Sequence, residues 1–251
     1  MTIAVIPVPG LPLINPGDDL GQLLGDAIDA ARVGLKAGDV VAVCQKVVSK
    51  AEGAVVALEE VEASAFAKHL AARTESGKDP RALEVILRET RRIVRMDRGH
   101  LICETHHGFV CANAGVDESN GVAPGVVTLL PRDPDASAER LREGLAARFG
   151  VAVAIVITDT FGRPWREGLT NVAIGIAGFA PLLSYLGERD PAGRPLQATI
   201  LALADELAGA AEPVMGKLDR VPAAIVRGLA LRPSEEGSKP LLREPARDLF
   251  R

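Results

Sequence analysis

The sequence predicts an α+β fold, and three observations carry that expectation. Strand-like and helix-like segments are mixed along the chain without a regular βαβ beat. Two runs, residues 40–44 and 151–158, are continuous and β-branched, as buried strands are. Residues 135–149 place Leu141, Leu145 and Phe149 four residues apart, as an amphipathic helix does.

The elements follow in order. Residues 3–8 read as a short strand entering a Pro- and Gly-rich loop, 9–17. Asp18 and Asp19 cap a helix that runs to about residue 34. Gly38 and Asp39 turn into the strand 40–44. Residues 45–53 are a mixed polar segment. Helical periodicity covers 59–73, and Pro80 opens a second helix to about residue 91. Short strands follow at 93–96, 101–105 and 109–112. Residues 113–125 are a long polar loop with two acids, and 126–130 are another strand. After the helix 135–149, the strand 151–158 runs into a second long polar loop, 159–168. Residues 171–176 form a strand and 187–195 a turn-rich connector. A strand at 197–203 feeds a helix from Ala204 that ends before Pro213. Residues 223–227 are the last strand. The tail from Arg232 holds three prolines and is expected to dock rather than form a core.

The chain has 251 residues, 47% hydrophobic and 25% charged, enough to bury a sizeable core in one large or two small domains. Aromatics are only 3%, so Ala, Val, Leu and Ile must build that core. A net charge of −4 argues against a general nucleic-acid binder, but leaves room for a phosphorylated ligand held by local geometry. Three cysteines, Cys44, Cys103 and Cys111, are no disulfide framework and suit a reducing cytoplasm. Residues 1–9 have no basic region and contain Pro7 and Pro9, so they do not read as a signal peptide. The longest apolar run, 151–157, is far short of the ~20 residues of a membrane helix. Neither G-x-x-x-x-G-K-[ST] nor G-x-G-x-x-G occurs; the nearest approach to the first, from Gly209 to Lys217, has the wrong spacing and Leu218 in place of the hydroxyl.

Acids follow strands into polar loops three times: Asp117 and Glu118, Asp159, and Asp205 with Glu206. Carboxylates converging from strand ends can hold Mg²⁺-like cations, although each acid alone reads equally as a cap or a solvated surface group. Lys46 and Lys50 lie in one polar segment and Arg163 and Arg166 in another. With Ser49, Ser119 and Asn120 they offer donors to phosphate or carboxylate oxygens. His100, Cys103, His106, His107 and Cys111 also cluster, but without C-x-x-C spacing, so a zinc site is the weaker reading.

Four segments together carry a resemblance: residues 45–53, 103–120, 158–168 and 204–216. In this order they resemble the coenzyme F420-0:L-glutamate ligase (F420 γ-glutamyl ligase) family, over essentially the whole chain. The resemblance implies a cytoplasmic, GTP-dependent amide ligase that joins L-glutamate to coenzyme F420-0 through an acyl phosphate, with further γ-linked glutamates able to follow. It implies an α+β fold of two intertwined lobes, a homodimer, and Mg²⁺ or Mn²⁺ with K⁺ assisting; no nucleic acid and no membrane enter. Carried over, Asp117 and Asp159 match metal-binding aspartates, with Thr160 beside the second and Glu206, with Asp205, near them. Lys46, Ser49 and Lys50 match the nucleotide segment, Ser119 and Asn120 reach the ligand, and Lys50, Arg163 and Arg166 help neutralise phosphate charge. The C-terminal flavin-binding domain of many relatives is expected to be absent. Two alternatives stay open: a metal-dependent nucleoside-triphosphate phosphohydrolase using the same acids, and a non-catalytic dimeric binding or zinc module.

Overall fold

A computed structural model describes residues 2–73, 77–97, 99–119 and 123–248. The first part of the chain forms β1 (Ala4–Pro7), α1 (Leu20–Ala30), β2 (Val40–Cys44) and α2 (Gln45–Ala51). The middle forms β3 (Val55–Ala57), α3 (Ala65–Ala71), α4 (Pro80–Arg88), β4 (Thr90–Asp97), β5 (His100–Thr105), β6 (Val110–Ala112) and β7 (Val126–Thr128). The last part forms α5 (Pro134–Phe149), β8 (Ala154–Arg163), β9 (Arg166–Ala177), β10 (Leu183–Ser184), β11 (Ile200–Leu201), α6 (Leu203–Met215) and β12 (Ala223–Arg227). The fold is α+β. Among the described residues, no helix is long and apolar enough to cross a membrane.

The main sheet has the order β1-β12-β2-β8-β9. All its pairs are antiparallel except β2 with β8. Strand pleating sends alternate side chains to opposite faces, and both faces are covered. Val41, Val43, Ile155, Ile157 and Ile225 pack with Leu24 and Ile28 of α1 and Leu141 and Leu145 of α5. Val40, Ala42, Val156 and Val226 pack with Leu207, Ala208 and Ala211 of α6. This is why β2 and β8 show no polar alternation. The middle of the chain has its own core, in which Leu70, Leu83 and Ile86 meet Leu101, Cys103 and Val127. Phe109 meets Phe161 of β8 edge-on, 6.4 Å between ring centroids, and so joins this small lobe to the main sheet.

The cap expected at Asp19 forms, and α5 has a cap of its own at Asp133. Asp19 Oδ1 accepts from Gln22 N at 2.9 Å, and Asp133 Oδ1 accepts from Ala136 N at 3.0 Å behind Pro134. Several expectations are corrected. Residues 45–51 are helical, and the helix expected over 59–73 is a 3₁₀ turn, Leu58–Glu60, followed by the short α3. The strand expected at 197–203 shrinks to β11. α6 runs through Pro213 to Met215, because a proline in the last turn removes a single helical hydrogen bond. The polar loop expected at 159–168 is instead a two-stranded arm. β8 and β9 continue past the sheet as a hairpin, with Arg163 opposite Arg166 and Trp165 in the turn at φ 59°.

One buried ion pair fixes the end of the sheet where β2 begins. Asp39 is 1% exposed and receives Arg227 of β12 at 2.8 and 2.6 Å, with Lys36 N at 2.8 Å. Removing the guanidinium strands a buried carboxylate. Arg227→Ala is therefore expected to lower unfolding stability by about 3 kcal/mol in urea titrations. Arg95→Ala, which breaks the exposed pair with Asp97 at 3.5 Å, is expected to cost less than about 0.5 kcal/mol.

Candidate active site

β2 and β8 are the parallel pair of the sheet, and in such pairs ligands sit beyond the carboxyl ends of the strands. A cleft of about 600 Å³ opens there. β2 delivers Cys44 and then α2, whose Lys46 and Lys50 are one turn apart and both line the cleft. β8 delivers Thr158, Asp159 and Thr160. The small lobe brings Asp117 and Ser119 to the same cleft.

Asp117 is held tightly by its backbone. Its N–H and C=O exchange bonds with Thr128 at 3.0 and 2.8 Å. It follows three consecutive left-handed residues, Asn113, Ala114 and Gly115, at φ 53°, 53° and 74°. Two of these are not glycine, so the turn carries strain, of the sort found where a side chain must be aimed. Gly115 admits no other residue: a Cβ would also lie 2.6 Å from Leu130 Cγ.

The electrostatics are opposed. Asp117 Oδ2 receives Lys46 Nζ at 2.7 Å, and its Oδ1 receives Ser119 N at 2.6 Å. Burial alone would raise the Asp117 carboxyl, but these bonds outweigh it and hold it below the usual range. Lys46 also donates to Ser119 Oγ at 2.8 Å. Asp159 is different. Burial, with the Asp117 charge adding to it, pushes its carboxyl up to about 6, although the Thr160 amide and the ammonium groups of Lys46 and Lys217 pull the other way. Burial and repulsion by Lys46 lower Lys50.

The structure gathers Lys46, Lys50, Asp117, Ser119, Asp159 and Thr160 around the cleft. It does not bring Ser49, Glu206, Arg163 or Arg166 to its lining. Ser49 is fully buried and donates to Gln45 Oε1 at 2.8 Å within α2. Glu206 is exposed on the first turn of α6. Its neighbour Asp205 accepts from Ala173 N at 2.9 Å and so fastens β9. Arg163 donates to Glu167 O at 3.0 Å in the hairpin, and Arg166 stands opposite it across the turn. Asn120 lies outside the described residues.

Three cleft residues had no local signal in the sequence: Asn171 on β9, Glu212 on α6 and Lys217 just after it. Each reaches the cleft only through the pairing of β9 with β8 and the packing of α6 on the sheet. The residues of the weaker, zinc reading are engaged elsewhere. His106 Nε2 lies 2.9 Å from Arg88 O and His107 Nε2 lies 2.9 Å from Pro131 O, so both rings serve the backbone. Cys103 and Cys111 are buried partners across β5 and β6, and among the described residues no three His, Cys, Asp or Glu side chains group to hold a metal. A second cavity, about 560 Å³ between α1, α2 and α5, is lined by Arg140 and Arg148, which already pair with Glu52 and with Asp26 and Asp29.

Comparison with known proteins gives the class, then the family. The class is that of a ligase, given by the family model and by the names of the relatives. The family model described as F420-0:Gamma-glutamyl ligase matches residues 10–228. Two similar relatives are named Coenzyme F420:L-glutamate ligase. The one from Methanothermobacter thermautotrophicus is 48% identical over 255 aligned positions, covering all of both chains. The one from Methanopyrus kandleri is 50% identical over 257, covering all of this chain and 98% of the relative. A third of that name, from Archaeoglobus fulgidus, is 41% identical over 253, covering all of this chain and 97% of its own. The chain belongs to the F420-0:gamma-glutamyl ligase family.

The raised Asp159 carboxyl has a consequence for the metal-free protein. Its folded pKa of about 6 exceeds the unfolded 3.8. The native state therefore binds more protons between those values, and its stability falls as pH rises through that window. Asp159→Asn removes the penalty. In the presence of chelator, it is expected to gain about 3 kcal/mol over the parent protein at pH 8 and little at pH 4. Chemical denaturation at the two pH values measures this; equal gains at both would contradict the assignment.

Proposed function

We propose that this chain joins L-glutamate to the terminal carboxylate of coenzyme F420-0, using GTP and passing through an acyl phosphate, and that further γ-linked glutamates follow. Family membership and the names of its relatives support the glutamate and F420-0 parts. The observation that carries the chemistry is the meeting of Asp117 and Asp159, from separate lobes, in one cleft beside Lys46 and Lys50.

Carboxylates do not acylate amines at neutral pH, so the acceptor must first be activated. Its carboxylate oxygen attacks the γ-phosphorus of GTP, and the bond to the β-phosphate oxygen breaks with its electron pair leaving on GDP. The glutamate amine then attacks the acyl carbon, and inorganic phosphate departs with the electron pair of the C–O bond. Such transfers need positioning and charge neutralisation rather than a side-chain nucleophile. The cysteines agree with this: burial pushes Cys44 and Cys103 up and Cys111 to about 12, so none is a ready thiolate.

Two hard carboxylates, one of them pushed up by burial with the charge of the other adding to it, suit Mg²⁺ or Mn²⁺, which combine one or two protein carboxylates with substrate phosphates. Asp117 and Asp159 would hold the ion, and bound there it would offset phosphate charge. Lys46 would release Asp117 and, with Lys50, take the phosphate oxygens; Ser119 would add a hydroxyl contact. Thr160 is hydrogen-bonded to Asn171 and keeps β8 and β9 in register at the cleft. The same reading takes K⁺ as an assisting ion, a homodimer as the working form and the cytoplasm as its place.

Mass spectrometry of F420-0 incubated with the protein, GTP, L-glutamate and Mn²⁺ is the test. A glutamyl increment that disappears when any one component is omitted is expected. GDP formed without that increment would favour a phosphohydrolase. Asp159→Asn is expected to reduce turnover by about 100-fold or more. Mn²⁺ is expected to raise the melting temperature of the parent protein and not of this variant.

A further inference from the structure

Lys78 takes no part in the chemistry above and does not line the cleft. It is half-buried and directly precedes Asp79, which caps α4 by accepting from Arg81 N at 2.8 Å. Its Nζ donates to Asn113 Oδ1 at 2.7 Å. Among the described residues it forms no ion pair. Burial lowers its ammonium, although the charges of Glu118 and Cys103 pull the other way. A half-buried ammonium spent on a neutral amide oxygen is a poor fastening, because the cost of desolvation is not returned by an opposite charge. What the bond does gain is control over the residue it holds.

Asn113 opens the left-handed run that leads to Asp117, at φ 53°. Its carbonyl accepts from Val116 N at 3.0 Å, which closes the turn. The next two amides are taken by the cysteines of β5 and β6: Ala114 donates to the Cys103 sulfur and Gly115 to the Cys111 sulfur. The run is therefore held at successive residues. Lys78 holds the side chain of the first, and the two sulfurs hold the backbone of the second and third. Asp117 follows two residues on, where its backbone joins Thr128.

We propose that Lys78, acting through Asn113, is a positioning residue that aims Asp117 at the divalent cation. It touches neither the cation nor a substrate. Without its bond, Asn113 is free to leave a conformation that side-chain-bearing residues adopt at a cost. The run then relaxes, and the Asp117 carboxylate spends less time where it shares an ion with Asp159. Ligands oriented by such outer contacts lose affinity for their metal when the contact is removed. Charge alone would act with the opposite sign, since deleting a cation near the site favours another cation there. The proposal rests on the reading of Asp117 and Asp159 as the metal pair.

The test titrates Mn²⁺ against the nucleotide-free protein and reads the rise in melting temperature. Lys78→Met keeps the stem and removes the ammonium. Asn113→Gly removes the amide side chain, and glycine adopts a φ of 53° without strain. Each is expected to raise the Mn²⁺ concentration at half-maximal shift about tenfold. Asn113→Asp keeps an oxygen for Lys78 and tolerates the left-handed backbone, so it is expected to stay within about threefold of the parent protein. Should Lys78→Met not fold, Asn113→Gly decides by the same reading. A lower melting temperature with an unchanged half-maximal concentration would mean a merely structural contact and overturn the proposal, leaving the metal pair intact. Tighter Mn²⁺ binding by Lys78→Met, or the same tenfold loss in Asn113→Asp, would overturn it too. A parent protein that shows no Mn²⁺-dependent shift would overturn the metal pair and the positioning together. Absence of a glutamyl product with the expected shifts would remove the ligase reading and leave the positioning standing.

Discussion

The structure is organised around two carboxylates of like charge, Asp117 answered by Lys46 and Asp159 pushed up by burial. Asp159 stands on β8 just past its last pairing with β2, and Asp117 comes to the same cleft from another lobe. Bringing such groups together opposes folding unless something rigid enforces it. The rigidity is visible on both sides. β8 is clamped between β2 and β9 with covered faces. Asp117 is aimed by three left-handed residues and a two-bond bridge to Thr128. The lobes cannot slide apart freely, because Phe109 of one packs on Phe161 of the other.

The same tension explains how an acidic protein keeps a cationic cleft. Net charge sets the field at long range, but the cleft is governed by neighbours a few ångströms away. Lys46 settles on Asp117, Lys217 leans on Thr160 beside Asp159, and Lys50 is crowded by Lys46. Lys46 and Lys217 are thus borrowed by protein groups, and Lys50 is repelled by another cation. An anionic ligand relieves both conditions at once.

Much of this was legible in the sequence, and what was not has a common physical origin. The strands 40–44 and 223–227 and the helix ending at Phe149 declare themselves through local pattern, because burial and capping act over a few residues. Asp117, Asp159, Lys46 and Ser119, which line the cleft, lie in segments whose order resembles a family. The arm formed by β8 and β9 was read as a loop because a hairpin that leaves the sheet has no core face, and so no alternation to show. Glu206 was taken for the acid of α6, whereas Glu212 is the one that reaches the cleft. Six residues along a helix turn a side chain to another face, and only the packing of α6 on the sheet decides which face meets the cleft. Ser49 likewise lies outside the cleft lining, its hydroxyl aimed into its own helix.

The two ends of β2 show how this chain separates structure from chemistry. Where the strand begins, Asp39 is buried more completely than Asp159, yet it is fully answered by Arg227 and a backbone amide, and that end behaves as a fastening. Where it ends, some charges are incompletely answered: Asp159 is pushed up, and Glu212 and Lys217 stop short of bonding. Both ends lie on one sheet and draw on the same residue types, so composition does not distinguish them. What distinguishes them is whether the partners of each charge are already present in the chain. A buried charge with its partners supplied stabilises a fold, whereas one left short of partners destabilises it until a ligand completes the set. The incomplete end is therefore where binding free energy is to be gained, and it is the end to which both lobes of the protein contribute.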